Sequence, residues 1–553
     1  MSLAELLRES FHETFRVSIP LFTPELGVVA TIVLLLATRI VAPGARLGGH
    51  RLAFLGTLLS LGLAVSQLAE WLSAPGGPRS VPLFGGLLVF DGLTAFLRVY
   101  QLLFALLVVW LTTLSGIPDR DDAPDFYTLL SGSVLGLLVL ASANHWLMVF
   151  LGVEMASLPS YALAGFLKGR RAAGEASLKY MVYGAGAAGV MLYGISLLMG
   201  LLGTGSLSGM EFALPRLWEQ PGMSGAALSR TLMFALVLVF CGLAFKLAAV
   251  PFQFWCPDVF QGASAEVALA LSVASKAGAV AVLIRIALAL VGAFQAIPGA
   301  ASLGVSLGVG LAVIAGVTTT FGNLAAFPQT NLKRLLAYST IAQAGYLLMG
   351  VAAVMVIDLA PLPAGSLPSL RLIASADALE AVLLYLVVYC FMKLGAFAVV
   401  VTVRNRIFSE ELADWGGLAR RHAGLAICLS LCLFSLTGLP PLGGFVAKVR
   451  ILFALYEAGR FHPVLWGVMA VGALNTVISL VYYLRVLRIV YFAPLAGRLL
   501  TDYETPAKES AARAGIAPLI RFAALVTAPV VLLGLVVDPL LEILHRVAIG
   551  VVR

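Results

Sequence analysis

Five ionisable residues lie deep inside long apolar runs of this chain, where charged side chains are rare. A charged residue at the centre of a membrane-spanning helix costs roughly 2.5–3.5 kcal/mol on insertion scales, so such residues usually have a function. Four of the five are lysines, so the lysines cannot all be paired with a carboxylate at once. The five residues are Glu154, Lys246, Lys276, Lys393 and Lys448.

Buried lysines of this kind can carry protons. Burial disfavours the charged ammonium group and a nearby carboxylate favours it, so a buried lysine can gain and lose a proton near neutral pH, whereas arginine cannot. Glu154 is the obvious partner for Lys246: movement of the carboxylate toward the lysine would hold the proton, and movement away would release it. A row of such sites joined by water predicts a switchable proton pathway, in which no residue makes or breaks a covalent bond to a substrate.

The energies involved are compatible with this chemistry. Moving one proton against 100 mV costs about 2.3 kcal/mol, and one unit of pKa is worth about 1.4 kcal/mol. Moving one ion pair can supply the two or so units required. A structural ion pair or a snorkelling side chain is an equally good interpretation for charged residues nearer the ends of the apolar runs. These residues are Arg98, Lys179, Arg285, Lys333 and Arg485.

Composition assigns the chain to a bilayer. Of its 553 residues, 60% are hydrophobic and 12% are charged, against about 25% charged in soluble domains. The net charge of +8 is scattered between apolar stretches and forms no basic patch with aromatic residues, so nucleic acid is not an expected partner. The expected partner is lipid, and one membrane domain, residues 1–553, accommodates the whole chain.

About 14 apolar runs are long enough to cross a bilayer as helices. They are too long and too continuously apolar to be barrel strands, which predicts an all-α polytopic membrane protein. The runs lie near residues 25–43, 52–72, 90–115, 127–143, 146–167, 177–203, 231–250, 266–293, 302–323, 333–357, 379–403, 423–456, 465–491 and 518–548.

Loops rich in Lys and Arg alternate along the chain with loops that are poor in them. The rich loops lie near residues 46–51, 168–171, 333–334, 404–421 and 508–513, and the poor ones near 79, 216, 371 and 460. Because basic loops stay on the cytoplasmic side, this pattern predicts a multi-pass protein of a bacterial inner membrane with both termini on the outer side.

Two predicted spans, the seventh and the twelfth, contain prolines that should break the helix. These prolines are Pro251 and Pro257 in the first, and Pro440 and Pro441 in the second. Broken helices in corresponding positions indicate two inverted repeats of about five helices. The expected division is 1–143 for spans one to three and the start of the first repeat, 127–293 for the first repeat, 302–491 for the second, and 518–548 for a C-terminal span.

Redox chemistry is not expected on this chain. The five cysteines form no C-x-x-C pair, and the six histidines fall in loops, termini or span ends. No phosphate-binding or dinucleotide-binding glycine motif is present. We therefore expect no haem, iron–sulfur cluster or metal ion here.

Several motifs resemble the antiporter-like (Mrp-type) membrane subunits of proton-pumping NADH:quinone oxidoreductase, respiratory complex I. The resemblance runs from about residue 24 to 492. The motifs Pro24-Glu25-Leu and Phe84-Gly85-Gly through Asp91-Gly92 are typical of the subunit N branch in particular. The other matching segments are Glu154 to Phe166, Glu175 to Tyr180, Phe245 to Ala263, Gly322 to Tyr346, and Gly438 to Lys448.

Within this family, the ending of the chain and one lysine favour the N branch. Resemblance to subunit M would imply glutamate at Lys448, and resemblance to subunit L would imply a long lateral helix at the C-terminus. We expect only one more span after the second repeat.

The resemblance implies a role for each matching residue. Glu154 and Lys246 would be the charge pair of the first half-channel, Lys276 the central relay, and Lys448 the exit-side proton site. Three more would be supporting pathway or coupling residues, namely Lys179, Asp258 and Lys333. It also implies other complex I membrane subunits as partners, with FMN, iron–sulfur clusters and quinone bound elsewhere in the complex.

Four positions depart from the family pattern. Gln253 and Gln343 stand where histidine is common, so a relay through them must use water. Lys393 stands where asparagine is common, which adds a charge to the central axis. Glu266 stands where a small residue or proline is usual. The alternatives left open are a subunit of a multisubunit sodium/proton antiporter, a subunit of a membrane-bound hydrogenase, and a structural subunit with an inactive channel.

Overall fold

A computed structural model describes residues 11–41, 48–74, 80–119, 121–219, 225–363, 365, 367, 369–495 and 506–552. Arg46 and Arg79, which contributed to the predicted orientation, lie outside these residues. Thirteen helices of the described part are long and apolar enough to cross a membrane. The number rises to 14 if the segments Leu412–Arg421 and Ala423–Thr437, which meet at an angle of 119°, count together as one span. The predicted all-α membrane architecture with about 14 spans is confirmed.

The N-terminal part consists of three long helices and a small hairpin. Short helical turns, Thr14–Ser18 and Ile19–Leu21, precede the first long helix. Strands β1 and β2 pair antiparallel, with Val81 opposite Phe90. The elements are α1 (Thr23–Val41), α2 (Gly49–Ser73), β1 (Val81–Leu83), β2 (Leu88–Phe90) and α3 (Gly92–Ser115).

The next elements form a unit of five spans, of which the fourth is broken. A short helix, α7 (Met210–Trp218), precedes the broken span. The spans are α4 (Ala123–Ser142), α5 (Trp146–Ala164), α6 (Arg171–Leu202), the broken pair α8 (Gly225–Leu247) and α9 (Trp255–Gly262), and α10 (Ala265–Gln295).

A second unit of five spans follows, and its fourth span is also broken. Two short turns, Leu412–Trp415 and Leu418–Arg421, precede that span. The spans are α11 (Ala301–Ala326), α12 (Leu332–Leu359), α13 (Ser369–Ile407), the broken pair α14 (Ala423–Thr437) and α15 (Gly443–Phe461), and α16 (Val464–Phe492). Because each unit has an odd number of spans, the second starts from the opposite face of the membrane, which makes the repeats inverted.

The C-terminal part differs from the prediction of one span over 518–548. Helix α17 (Pro506–Leu535) ends before Val536, and a separate helix, α18 (Asp538–Val552), follows. Pro539 occupies the first turn of α18, where its missing N–H costs nothing. Helix α18 packs along α13 and α3. One candidate span, Ile516–Leu535, therefore follows the second unit, and α18 is a separate, shorter helix whose start is marked in the sequence by Asp538 and Pro539.

Burial is graded from the centre of the molecule to its rim. Nearly every residue of α12 is buried, and α10 and α13 are buried along most of their length. Helices α1, α2, α6 and α16 instead expose large apolar side chains, such as Leu55, Tyr193 and Val477. Lipid solvates such side chains at no cost. The central helices thus form a protein-lined interior in which polar groups can be held.

One fully buried ion pair ties the N-terminal helices together. Arg98 Nε donates to Glu25 Oε1 at 2.6 Å, and both side chains are completely buried. Arg98 Nη1 also donates to Gln67 Oε1 at 3.0 Å and to the Leu21 carbonyl at 2.8 Å. Arg98 therefore forms a structural ion pair, one of the two interpretations offered for it, and apolar patterning did not reveal its partner on α1, 73 residues earlier in the chain.

We expect Glu25→Ala to destabilise the protein by about 3–5 kcal/mol, because removal of one partner leaves the Arg98 charge buried and unpaired. Thermal unfolding of the purified protein in detergent measures the effect. The double variant Glu25→Leu/Arg98→Met should recover much of the loss, and Arg546→Ala, at an exposed pair with Glu542, should change little. Equal stability of Glu25→Ala and the native protein would contradict the prediction.

Candidate proton pathway

The first broken span leaves a backbone carbonyl free at the end of its first half. Helix α8 ends at Leu247, and Ala248 adopts a positive φ of 55°. The peptide bond Val250–Pro251 is cis, and the Val250 N–H donates a hydrogen bond to Thr318 Oγ1 at 3.1 Å. The Leu247 carbonyl accepts a hydrogen bond from Lys276 of α10. A lysine from the next span therefore satisfies the carboxyl end of the broken helix.

The second broken span is capped in the same way. Helix α14 ends at Thr437, and Gly438 has a φ of 94°. Lys448, from the second half of the span, donates to the Thr437 carbonyl at 2.9 Å. Across the break, the Gly444 N–H of α15 donates a hydrogen bond to Ser435 Oγ of α14 at 2.9 Å. The two breaks thus share one device, a lysine that binds the last carbonyl of the first half-helix.

Three of the four predicted helix-breaking prolines lie in the breaks themselves: Pro251, Pro440 and Pro441. Pro257 does not. It lies in the first turn of α9, which begins at Trp255. Proline fits there because the first N–H groups of a helix have no intrahelical partner. The prediction that Pro257 marks a break is therefore wrong.

The Glu154 and Lys246 side chains are neighbours without a direct hydrogen bond between them. Their charges interact, but Lys246 Nζ donates to Ser157 Oγ at 2.8 Å. Glu154 Oε1 receives no hydrogen bond from the described residues. Ser157 lies one turn after Glu154 on α5. The structure therefore shows the pair separated, with a serine hydroxyl in contact with the lysine.

A narrow cavity borders Lys246. Three serine hydroxyls line it among apolar side chains: Ser133 of α4, Ser160 of α5 and Ser275 of α10. Ser133 and Ser160 are within 3.1 Å of each other, and Ser275 Oγ has no protein partner in the described part of the chain. Such hydroxyls can both donate and accept, so they can carry a proton beside the lysine.

Lys276 lies between the first break and an aromatic cluster. Its Nζ is 5.9 Å from the centroid of the Trp255 ring, and the lysine is 1% exposed. Trp255 stacks on Tyr180 with 4.5 Å between centroids, and its indole N–H donates to the Phe245 carbonyl at 3.0 Å. The ring face stabilises an ammonium group where water is excluded.

Lys393, on α13, is fully buried and points toward α12. Its Nζ donates to the Leu336 carbonyl at 3.0 Å and to Ser339 Oγ at 2.9 Å. Ser339 also bonds Tyr483 at 2.5 Å, and the Tyr389 ring lies 5.8 Å from Nζ. Lys393 therefore extends the row of buried lysines from α10 into the second unit.

The second half of the row ends at Lys448. Its Nζ lies 4.7 Å from the centroid of the Tyr346 ring. Tyr346 stacks near Tyr385, whose hydroxyl donates to Gln343 Oε1. Gln343 Nε2 in turn donates to the Leu436 carbonyl at 3.1 Å, beside the break. Gln343 is thus part of the hydrogen-bonded surroundings of the second break although it cannot titrate.

The three supporting residues lie at the ends of the helices that carry the loops rich in Lys and Arg. Lys179 bonds Asp258 Oδ2 at 2.8 Å, and Arg334 bonds Asp258 Oδ1 at 2.6 Å. These contacts join α6, α9 and α12. Lys333 is the second residue of α12, where it is 3% exposed and pairs with Glu410 at 2.9 Å. Gln253 is buried, and its Oε1 has no partner among the described residues.

Sequence reasoning missed two groups of charged residues. Asp91 and Arg285 form an ion pair at 2.9 Å between the start of α3 and α10. Glu266, Arg404 and Glu410 cluster with Lys333 at the opposite ends of the helices. In both cases the partners are far apart in sequence, so Arg285, Lys333 and Glu266 could be noticed singly but their pairing could not be predicted.

A third group contains the donors that a metal ion would need. Asp377, Glu380 and His545 lie together where α13 meets α18. His545 Nδ1 is 2.9 Å from Glu380 Oε2, and Arg450 Nη1 is 3.5 Å from Glu380 Oε1. Because cationic and potentially cationic side chains already face these carboxylates, the group forms an ion-pair cluster. Helix α18 brings His545 to it, and the sequence did not predict that helix.

Comparisons with known proteins agree with these features. The chain matches the family model described as NADH:quinone oxidoreductase/Mrp antiporter, transmembrane, over residues 143–360 and 369–476. It is 42% identical over 447 residues to NADH-quinone oxidoreductase subunit N of Anaeromyxobacter sp. (strain Fw109-5), which covers 78% of this chain and 81% of the relative.

Solved structures show the same fold. A chain of respiratory complex I from Thermus thermophilus with bound aureothin superposes with a TM-score of 0.65 at 28% identity, covering 93% of this chain and 98% of that one. A chain of the Mrp complex from Dietzia sp. DQ12-45-1b superposes with a TM-score of 0.75 at 20% identity, covering 97% and 98%. At that identity, the second match shows a shared fold alone.

We expect Gly444→Ala to disrupt the second break, because a Cβ at this position would overlap the Ser435 carbonyl. The half-helices would have to separate, and the Lys448–Thr437 hydrogen bond would be lost. A lower midpoint of thermal unfolding in detergent measures this effect. Gly467→Ala is the matched control, since a Cβ there meets nothing within 4 Å. A normal midpoint for Gly444→Ala would show that the break does not depend on this close approach.

Proposed function

The chain belongs to the NADH:quinone oxidoreductase/Mrp antiporter transmembrane family, and from this premise we propose that it is subunit N, a proton-translocating membrane subunit of an NADH:quinone oxidoreductase. The observation that carries the proposal is the row of four buried lysines, two of which bind the free carbonyls at the helix breaks. An inactive structural subunit would have no need of such a row, because neutral residues are easier to bury.

The geometry suggests an order for proton transfer. Lys246 is reached through the serine-lined cavity, and the carbonyl of the adjacent Leu247 contacts Lys276. From Lys276 the row continues to Lys393 and then to Lys448 at the second break. Because consecutive lysines repel one another when charged, the arrival of a proton at one site favours its release from the next.

Glu154 is the proposed switch at the start of the row. The structure has its carboxylate close enough to act on Lys246 but leaves Lys246 bonded to Ser157. Movement of the carboxylate into direct contact would favour the charged lysine, and separation would favour proton release. The energy for this movement would come from quinone reduction elsewhere in the assembly.

We further propose that the redox groups lie on other subunits. FMN, iron–sulfur clusters and quinone would bind there, and this chain would contribute proton transfer alone. Its partners are other membrane subunits of complex I and the lipid bilayer. The two units would correspond to repeats over 127–293 and 302–491. The spans of 1–143 would precede them, and a single C-terminal span in 518–548 would follow. In the structure the helix that forms this last span ends at Leu535.

The protein is proposed to lie in the inner membrane of a bacterium with the Lys- and Arg-rich loops in the cytoplasm. This face would then hold one end each of α6, α9, α12 and α13. These are the ends that carry Arg171, Asp258, Arg334 and Arg404. With alternating spans, both termini of the spanning region then lie on the outer side.

Co-migration tests membership of the complex. A tagged form of the chain, extracted in mild detergent, should run on a native gel with a large assembly that oxidises NADH. Migration apart from any such activity would contradict the proposal and favour the antiporter alternative, for which sodium/proton exchange in vesicles is the discriminating measurement.

We expect Lys246→Met to abolish the proton translocation that this chain contributes, since methionine cannot bind a proton. Lys246→Arg should fail as well, because arginine does not release its proton. NADH-driven acidification of vesicles containing the whole complex measures the effect, normalised to the amount of assembled complex. Lys168→Met, at an exposed lysine, is the control. Full translocation by Lys246→Met would refute a proton path through this lysine.

A further inference from the structure

Glu266, the second residue of α10, is a completely buried carboxylate with unusual surroundings. Neither of its carboxylate oxygens accepts a hydrogen bond from the part of the chain that the structure describes. The closest cation is Arg404, whose Nη1 lies 4.0 Å from Glu266 Oε2. A hydrogen-bonded structural ion pair would be shorter, as the 2.6 Å contact between Arg98 and Glu25 illustrates.

The charged groups around Glu266 form a graded series toward the Lys- and Arg-rich face. Glu410, with 16% of its side chain exposed, is 3.8 Å from Arg404 and 2.9 Å from Lys333. Arg404 and Lys333 have side chains only 8% and 3% exposed, and Glu266 is not exposed at all. Tyr127 of α4 is a further electrostatic neighbour of Glu266. Exposure thus falls stepwise from Glu410 to Glu266.

The Glu266 carboxyl is held by few contacts. A buried carboxylate without hydrogen-bond donors is costly, and the Arg404 guanidinium beside it lies at 4.0 Å, beyond hydrogen-bonding distance. Buried ionisable residues of this kind in membrane-spanning proteins mark proton pathways.

A group of hydroxyls lies along the helices between the level of Glu266 and Lys393. Ser272 follows Glu266 by six residues on α10, which is about 9 Å along the helix. Ser272 Oγ lies 3.0 Å from Thr340 Oγ1 and 2.9 Å from the Tyr389 hydroxyl. Tyr389 is one turn before Lys393 on α13, and its ring lies 5.8 Å from Lys393 Nζ.

Helix α12 gives a second link between the same two places. Lys333, a member of the charged cluster, precedes Leu336 by three residues, or about 4.5 Å of helix rise. The Leu336 carbonyl and Ser339 Oγ both accept hydrogen bonds from Lys393. The cluster therefore lies about one helical turn from the groups that hold Lys393.

We propose that Glu266 is the proton-loading residue of a separate inlet, which leads from the Lys- and Arg-rich face directly to Lys393. This inference rests on the proposed function and adds a second entrance to the row, distinct from the one at Lys246. In the transfer step, the O–H bond of protonated Glu266 breaks, and a new N–H bond forms on the neutral amine of Lys393. Ser272 and Tyr389 each accept one proton and give up another on the way, and water would carry the proton from Glu266 to Ser272 and from Tyr389 to Lys393.

The charges left by this step have partners. Ionised Glu266 remains beside Arg404, and protonated Lys393 remains against the Tyr389 ring and Ser339. Glu266 then takes up the next proton from the face that Glu410 reaches. Glu266 and Lys393 would thus act as a coupled acid and base at the two ends of one hydroxyl column.

The experiment compares Glu266→Gln with Glu266→Asp in the complete complex, reconstituted in vesicles. Proton translocation per NADH oxidised is measured across a pH series. Glutamine has nearly the same shape but cannot carry a proton, so Glu266→Gln should lose the translocation that enters at this inlet. Aspartate keeps the carboxyl group and should restore it. Glu411→Gln is the matched control. Glu411 follows Glu410 in the loop after α13, but its side chain accepts a hydrogen bond from Asn331 and takes no part in the charged cluster around Glu266.

Infrared difference spectroscopy supplies an independent readout. The carboxylic C=O band of protonated Glu266 should be present in the native complex, should vanish in Glu266→Gln, and should stay unchanged in Glu411→Gln. A purely structural carboxylate, permanently ionised by Arg404, would give no such band at any pH in the working range.

The outcomes separate this inference from the function on which it rests. Normal translocation by Glu266→Gln, with loss in Lys246→Met, would overturn the inlet and leave the proposed function intact. Equal loss in the glutamine and aspartate variants, accompanied by less assembled complex, would also overturn it in favour of a structural role. Normal translocation by both Glu266→Gln and Lys246→Met would overturn the proposed function itself.

Discussion

The rest of the structure depends on how backbone carbonyls are satisfied away from water. In a bilayer, an unpaired carbonyl costs several kcal/mol, so a helix can break only where another group replaces the lost hydrogen bonds. Here the replacement is a lysine at each break, Lys276 on Leu247 and Lys448 on Thr437. The same hydrogen bond therefore closes the broken helix and fixes a protonatable amine at the centre of its unit.

This arrangement requires a thick protein-lined interior. A lysine at mid-membrane depth can be held only if the helices around it exclude lipid, and α10, α12 and α13 are buried along most of their lengths for this reason. The rim helices take the contact with lipid. Aromatic rings next to Lys276, Lys393 and Lys448 supply negative ring faces, and among the described residues none of these three lysines forms an ion pair with a carboxylate, so the rings take over part of that role.

The sequence predicted the elements that obey a single strong rule. Long apolar runs identified the spans, prolines located both breaks, and lysines inside apolar runs identified the row. The prediction joined α17 and α18 into one span because most of 518–548 is apolar, although Asp538 and Pro539 mark the start of a new helix. It also gave no information on pairs joined only by tertiary packing, such as Arg98 with Glu25, or the open contact of Glu266 with Arg404. Pro257 was misplaced because a proline suits a first turn as well as a break.

Helix α18 has a consequence for the order in which the protein is made. Glu380, a buried carboxylate on α13, receives its hydrogen-bonding partner from His545, which lies 165 residues later in the chain. In a chain that ended before residue 545, this carboxylate would lack its His545 hydrogen bond, and the surface of α13 that α18 covers would be open. The last helix to be synthesised therefore completes the surroundings of a buried charge in the middle of the second unit.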